Sequence, residues 1–319
     1  MLEDFISRST ALLKKDGKVF LVAVNTLADF FRSGITAAGA ALLTEKTGKE
    51  HTVFVYSAGF LASHKTTHGQ DEPVVLDENF PNSYPFYIRN RGGYKMEGVS
   101  YHLDTIHGAP DFDSPGGAVQ AAAKLAVKIN LIFNLTEELT AGVKKSDVLI
   151  HGEGQGHFAL WLFAALDALM REAHLTLSGR NILALATARA ALVSARSNLA
   201  TAQAAMSAAQ HKPAVSNPGL SPSIVPAADM FLDRERLAAS LAGAGGFSLI
   251  AFFPETIPET DRREADWEAL SLLAAADGIV IAGMTSAEAE RFDKKKPKAF
   301  IRLGDIKRNG FRALAYQKR

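Results

Sequence analysis

Between Asp147 and Asp167 the chain reads DVLIHGEGQGHFALWLFAALD, and this stretch limits the possible folds more than any other. Val148 to His151 reads as a short buried strand, and Gly152-Glu153-Gly154-Gln155-Gly156 as a turn. The apolar run from Phe158 to Ala173 reads as a helix with Trp161, Leu162, Leu166 and Leu169 as core candidates. A strand that enters a helix through glycines brings a nucleotide-like ligand close to backbone N–H groups at the positive end of the helix. Glycine also marks any tight turn, so the turn by itself leaves a ligand site and a purely structural bend both open.

The same alternation continues downstream. Asn181–Ala186, Ile224-Val225 with Ala227–Phe231, Phe247–Phe253 and Gly278–Ala282 read as further strands. Arg189–Met206, the short piece Leu237–Leu241 and Ala265–Leu273 read as the helices between and after them. Strands alternating with helices from 147 to 282 predict a mostly parallel, three-layer α/β sheet. In such a sheet ligands lie at the carboxyl ends of the strands. That rule gathers Gly152 to Gly156, Ala186-Thr187, Asp229 and Phe253 to Glu255 at one crevice. Upstream, the sequence predicts a helix over 2–15, a strand at Val19–Val24, helical spacing from Leu27 to Leu43 interrupted by Gly34 and Gly39, and a strand at Val53–Tyr56. Residues 61–100 read as a connector with short strands such as Tyr87-Ile88, and 101–117 as a polar loop before a helix over 116–133.

Several function classes are excluded or disfavoured. The 319 residues, 47% hydrophobic and 22% charged, have an ordinary globular composition with room for two domains. No run of about twenty apolar residues predicts a membrane span, and the acidic start does not read as a signal peptide. The absence of cysteine removes disulfides, thiolate zinc sites and cysteine nucleophiles, and suits a cytoplasmic protein. Ser57 and Ser114 lack the context of a nucleophile elbow, and no phosphate-binding loop motif occurs. His64 and His68 are four apart in poor helix context, and His102, Asp104, His107, Asp111 and Asp113 match no ligand spacing, so no metal site is expected. Net charge is only +1, so attraction to nucleic acid requires a local patch. Glu290 to Arg319 supplies one, with eleven Lys or Arg against three acids and Phe300, Phe311 and Tyr316 interleaved; Arg89, Arg91 and Lys95 would extend it. The same run also suits the solvated faces of surface strands.

With these elements in order, the chain resembles a known family. VLIHGEGQGHFALWL looks like the first motif of class I S-adenosylmethionine-dependent methyltransferases, and ILALATARAALVSARSNLA is similar to their second strand and helix. PAADMF resembles the third strand with its terminal Asp, and FSLIAFFPE stands where the family carries D-L-I-x-x-N-P-P-F. GIVIAGMTSAEAERF and KAFIRLGDIKRNGFRALAYQKR are similar to the closing hairpin. The nearest flavour is the small-subunit ribosomal RNA guanine-N2 methyltransferase C type, in which a fading N-terminal copy of the domain precedes the active one. An internal repeat agrees: LLKKDGKVFLVAVNTLADFF at 12–31 parallels LLAAADGIVIAGMTSAEAERF at 272–292. The resemblance is carried best by 145–319. It implies a Rossmann-like sheet in a methyltransferase domain over 101–319, preceded by a partial second copy and connector over 1–100. It implies S-adenosylmethionine held by Gly152, Glu153, Gly154, Gly156, Thr187 and Asp229, catalysis at Phe253, Pro254 and Glu255, and an RNA base amine as acceptor.

The departures from the family pattern bear on chemistry. Where the family places an acid for the ribose hydroxyls, the sequence offers Ala186-Thr187, a weaker and neutral partner. The N-P-P-F site becomes Phe253-Pro254-Glu255-Thr256. Methyl transfer is an in-line displacement that depends on positioning, and an exocyclic amine needs a proton acceptor and an aromatic face for the base. Phe253 cannot accept a hydrogen bond, Phe252 or Phe253 can stack, and Glu255 can accept if its loop turns inward. The same residues also read as two core phenylalanines and a loop opening. Three functions follow: an RNA methyltransferase, a methyltransferase-like RNA-binding or assembly module without turnover, and an NAD-dependent oxidoreductase using the same glycine turn.

Overall fold

The computed structural model describes residues 2, 5, 6, 9, 17–57, 88–107, 109, 113–131, 147–166, 174–209, 222–226, 230–241, 245–254 and 261–319. The chain divides into two compact units, 1–75 and 76–319.

In the first unit, β1 (Val19–Val24) leads through a short 3-10 turn into α1 (Ala28–Ala37), followed by β2 (Ala41–Thr47) and β3 (His51–Ser57). The helical spacing expected to reach Leu43 stops earlier. Gly39 takes φ +69°, and the N–H groups of Ala38, Gly39 and Ala40 close back on the carbonyls of Gly34, Thr36 and Ile35. A left-handed residue just past the last turn is how helices are commonly terminated. The freed segment pairs with β3, giving an antiparallel sheet of order β1-β3-β2. Ala23, Ile35, Phe54 and Tyr56 form its small core with Ile6.

The second unit begins with a hairpin where a connector and a polar loop were expected. β4 (Ile88–Met96) and β5 (Val99–Ile106) pair antiparallel along their lengths. The turn is Glu97-Gly98, with φ +45° and +84°, the two-residue geometry that matches strand twist. Val99, Tyr101, Leu103 and Thr105 alternate with Ser100, His102 and Asp104, so the period of two is plain once the turn is recognised. His102 and Asp104 therefore lie on a strand, and Asp104 faces Arg91 at 3.6 Å.

Next come α2 (Gly117–Lys128), β6 (Asp147–His151), α3 (His157–Leu166), β7 (His174–Gly179), α4 (Ile182–Ala209) and β8 (Ser223–Pro226). They are followed by α5 (Arg234–Ala239), β9 (Phe247–Phe252), α6 (Arg263–Leu273), β10 (Ala274–Thr285), α7 (Ser286–Lys294), β11 (Phe300–Arg308) and β12 (Phe311–Lys318). Seven strands form one sheet of order β11-β12-β10-β9-β6-β7-β8. Pairs from β8 to β10 are parallel, and β12 runs antiparallel to both its neighbours. This is a Rossmann-like, three-layer α/β sheet ending in a closing hairpin, as expected.

Two corrections concern the site. The second strand is His174–Gly179, and the segment expected to form it, 181–186, opens α4. Asn181 is the reason: its side-chain Oδ1 accepts the Ala184 N–H at 3.1 Å, capping a run of Ala and Leu with high helix propensity. The third strand is Ser223–Pro226; Met230 and Phe231, expected at its far end, lie in a turn, and 227–229 lie outside the described residues.

The sheet is covered on both faces. On one side Leu125, Trp161, Leu177 and Ile281 share a core with the inner face of the β4–β5 hairpin. Glycine sets the spacing there: a Cβ on Gly283 would lie 2.8 Å from the Ala118 carbonyl oxygen. On the other side Trp267 stacks on Phe292 with centroids 4.4 Å apart, and its indole N–H donates to the Phe292 carbonyl at 2.9 Å. Trp267→Ala removes the stack, the bond and the largest side chain on that face; urea unfolding should show a loss of about 3–5 kcal/mol.

Candidate functional site

The glycine turn lies where three strand ends meet. The Gly152 N–H donates to the Ser178 carbonyl at 2.8 Å, and the Phe253 N–H donates to the His151 carbonyl at 2.9 Å. Gly152, Gly154 and Gly156 have φ of +74°, +83° and +103°, values that side chains resist. Space is short as well: a Cβ on Gly152 would sit 2.1 Å from the Phe253 carbonyl oxygen, and one on Gly156 2.5 Å from the Ala188 Cβ. Protein packing thus accounts for two of the glycines.

Glu153 is 4% exposed, and its Oε2 accepts the Ala159 N–H at 2.9 Å. A carboxylate at a helix N-terminus satisfies an orphan donor and meets the positive end of the dipole. Gln155 reaches the other way, its Oε1 accepting the Ile106 N–H at 2.7 Å at the end of β5. Beside it the Tyr101 hydroxyl and His157 Nδ1 are 3.0 Å apart in a buried contact. The β4–β5 hairpin is thereby fastened to the glycine turn at two points.

The remaining expected site residues scatter. Thr187 is 1% exposed within α4 and donates its hydroxyl to the Leu183 carbonyl at 2.8 Å, so it does not follow a strand. The residue at the carboxyl end of the second strand is Gly179. A Cβ there would meet Gly152 N at 3.6 Å, an ordinary contact, so close packing does not require glycine at this position. Phe253 is 5% exposed with its ring 5.4 Å from that of Phe158, inside the core, and Pro254 follows it half-buried. Asp229 and Glu255 lie outside the described residues.

Sequence reasoning missed His151. It is 7% exposed, its Nδ1 lies 3.1 Å from Ser178 Oγ, and its ring stacks on Phe252 at 5.8 Å. Burial pushes its pKa down to about 4; Asp233 opposes that shift and Arg262 adds to it. Those charges follow β8 and β9, so His151, Ser178, Asp233 and Arg262 mark the carboxyl edge of the sheet from four segments. The alternating run His174 to Gly179 was the available signal for Ser178, and the last residue of β6 for His151.

The basic C-terminal region is largely committed to its own fold. Arg302 pairs with Asp293 at 3.0 Å, Arg312 with Asp305 at 2.7 Å, and Arg308 with Glu97 at 3.2 Å. Lys295 pairs with Glu264, Lys318 Nζ donates to the Ser271 and Ala274 carbonyls, and Lys296 Nζ donates to that of Phe300. Arg291, Lys294, Lys298, Lys307 and Arg319 stay exposed. Among the described residues no group of His, Asp and Glu is arranged to hold a metal ion, and no helix is long and apolar enough to cross a membrane.

No family model and no curated protein sequence matches the chain. Solved structures do. One is a 16S rRNA N2 methyltransferase of T. thermophilus in complex with AdoMet and guanosine, at 14% identity and a TM-score of 0.46, covering 99% of this chain and 69% of that one. TrmN from Thermus thermophilus is similar at 15% identity and a TM-score of 0.38, over 60% of this chain and 48% of its own. The rRNA methyltransferase aviRa from Streptomyces viridochromogenes is similar at 15% identity and a TM-score of 0.35, over 59% of this chain and 84% of its own. These structural neighbours are methyltransferases; with TM-scores this low, it is the strand order of the chain itself that fixes its fold.

Burial holds the pKa of His157 at about 4 as well. Both folded values lie below the ordinary 6.5, so the unfolded chain takes up these protons first as pH falls. Stability is full above about pH 6.5 and declines towards pH 4, by up to about 3 kcal/mol per histidine. Asp266, raised to about 6 by burial, acts in the opposite sense and returns part of the loss below pH 6. Urea midpoints should therefore fall from pH 7 to pH 5, and His151→Phe should reduce the slope; a rise would contradict this account.

Proposed function

We propose that this protein is an S-adenosylmethionine-dependent methyltransferase acting on a base amine of RNA, ribosomal RNA in the first instance, in the cytoplasm. The observation that carries the reading is the run of three left-handed glycines between β6 and α3, at the centre of the carboxyl edge of the sheet. A turn of that shape leaves its backbone open to close approach by a ligand. The fit is best at the methionine end, where Gly152, Gly154 and Gly156 would hold the cofactor and Asp229 would face its adenine. It is weakest at the ribose, where Gly179 offers only backbone. When bound, the cofactor supplies an electrophilic methyl group on a sulfonium. Pro254 would then lie beside the acceptor amine, and Glu255 would accept the proton that nitrogen gives up as its bond to the methyl carbon forms and the carbon–sulfur bond breaks, its electron pair staying on sulfur. Phe253, locked in the core against Phe158, acts by fixing where that loop starts.

The first unit is read as a partial second copy of the domain. Its order β1-β3-β2 and its antiparallel pairings match β10-β12-β11. The register shift between Leu42 and Thr44 matches the one between Arg302 and Gly304.

A second reading is a methyltransferase-like RNA-binding module without turnover. Gly179 at the ribose position, the buried Thr187 and the commitment of Glu153 to capping α3 favour it. Calorimetry separates the alternatives. The enzyme reading expects S-adenosylmethionine to bind in the micromolar range, with Gly154→Ala weakening it about tenfold, and labelled methyl groups to reach total RNA in a reaction lost in Glu255→Ala. Binding of RNA without transfer establishes the module; no binding of cofactor at saturating protein rejects the enzyme.

A further inference from the structure

The β4–β5 hairpin has two unlike faces. Its inner face carries Met96, Tyr101 and Leu103 into the core. Side chains alternate along a strand, so Arg91, Gly93 and Lys95 of β4 stand on the outer face. The register sets them opposite Asp104, His102 and Ser100 of β5, and all six but Asp104 are exposed. Lys95 pairs with no acid among the described residues. The Arg91 side chain is 64% exposed and meets Asp104 only at 3.6 Å, a solvent-screened contact that a phosphate can displace. His102 lies over bare backbone: a Cβ on Gly93 would sit 3.3 Å from its Cε1, so the imidazole rests across β4 with its other face towards solvent. At about 3.4 Å per residue, Arg91 and Lys95 stand about 13 Å apart with that ring between them. Both ends of the hairpin are tied to the carboxyl edge of the sheet. Glu97 at its tip meets Arg308 at the turn into β12, whose Phe311 pairs with Thr285 at the end of β10; Ile106 at its foot meets Gln155 of the glycine turn.

We propose that the outer face of this hairpin is a binding strip for single-stranded RNA, with a base stacked on His102 and the flanking phosphates held by Arg91 and Lys95. The proposal rests on the RNA reading above and moves the main contact from the basic C-terminal run to β4 and β5. Cations that track a backbone, with an aromatic ring between them for a base, are how proteins hold single strands. A duplex suits the face less well, because its bases are already stacked on one another. No large apolar side chain stands among the six, so the face has nothing to insert into a lipid surface. The cations of the C-terminal run are in contrast largely taken: Arg302, Arg312 and Arg308 by acids, and Lys318 by carbonyls. Asp104 is the one opposing charge on the strip, and it gives the proposal a sign: removing it should help RNA to bind.

The test is fluorescence anisotropy of the full chain with a short labelled oligoadenylate over a salt series. Arg91→Gln with Lys95→Gln should weaken binding about tenfold or more and flatten the log–log salt slope by about 1.4, the share of two phosphates on a single strand. Lys294→Gln with Lys298→Gln removes the same charge from exposed positions of the C-terminal run and should change binding less than about twofold. His102→Ala should abolish any preference for oligoadenylate over oligouridylate, and His102→Phe should keep it. Asp104→Asn should tighten binding, which loss of a merely structural ion pair would not do. Circular dichroism should be the same for all variants. Equal losses in the two double variants, duplex RNA bound as tightly as the single strand, or displacement by polyglutamate as readily as by RNA would each overturn the proposal. If the chain binds RNA and the hairpin variants bind it equally well, the strip is wrong and the RNA reading stands; if the unaltered chain binds no RNA, both fall.

Discussion

The second unit depends on one crossing of backbones. At Gly152 the chain leaves β6, bonds to the carbonyl of Ser178 and passes so close to the Phe253 carbonyl that no Cβ fits between them. That crossing ties the ends of β7 and β9 to β6 and aims α3. Gly156 repeats the constraint against Ala188 of α4. The turn is thus required by the protein before any ligand is considered. Packing fixes Gly152 and Gly156, and the bearing on function lies in where this left-handed turn opens, at the centre of the carboxyl edge of the sheet.

Around the crossing, polar groups are spent on structure. Glu153 caps α3, Gln155 holds β5, and His157 meets Tyr101. The last two bonds join the turn to β5, about fifty residues earlier, a strand that the sequence does not reveal. The hairpin is consequently fastened to the glycine turn through Ile106 and Tyr101. A neutral, buried His151 completes the edge from the opposite face of the sheet.

Much of the sheet was legible. Val148–His151 and Phe247–Phe252 are buried on both faces and read as short apolar runs; the helices Gly117–Lys128 and Arg263–Leu273, expected over 116–133 and 265–273, show clear apolar faces. Failures have local causes. The run Asn181 to Ala186 has the composition of a buried strand, and only the capping bond from Asn181 reveals the helix. That error put Thr187, and not Gly179, at the end of the second strand. The hairpin was passed over because Glu97-Gly98 is a less familiar two-residue turn than Asn-Gly or Asp-Gly. The basic run at the C-terminus was legible only as a charge count, which carries no record of acids, such as Glu97 and Glu264, that return to meet the cations in space.

The placement of β12 has a consequence for how the chain reaches this state. β12 stands between β10 and β11, although it follows both, and Leu314, Ala315 and Tyr316 are wholly enclosed. During synthesis β11 emerges with no neighbour to pair with, and α2, made almost two hundred residues earlier, has only part of its floor. Both must wait for the last strand to be inserted. A nascent chain stalled before β12 therefore exposes two strand edges at once, that of β10 and that of β11.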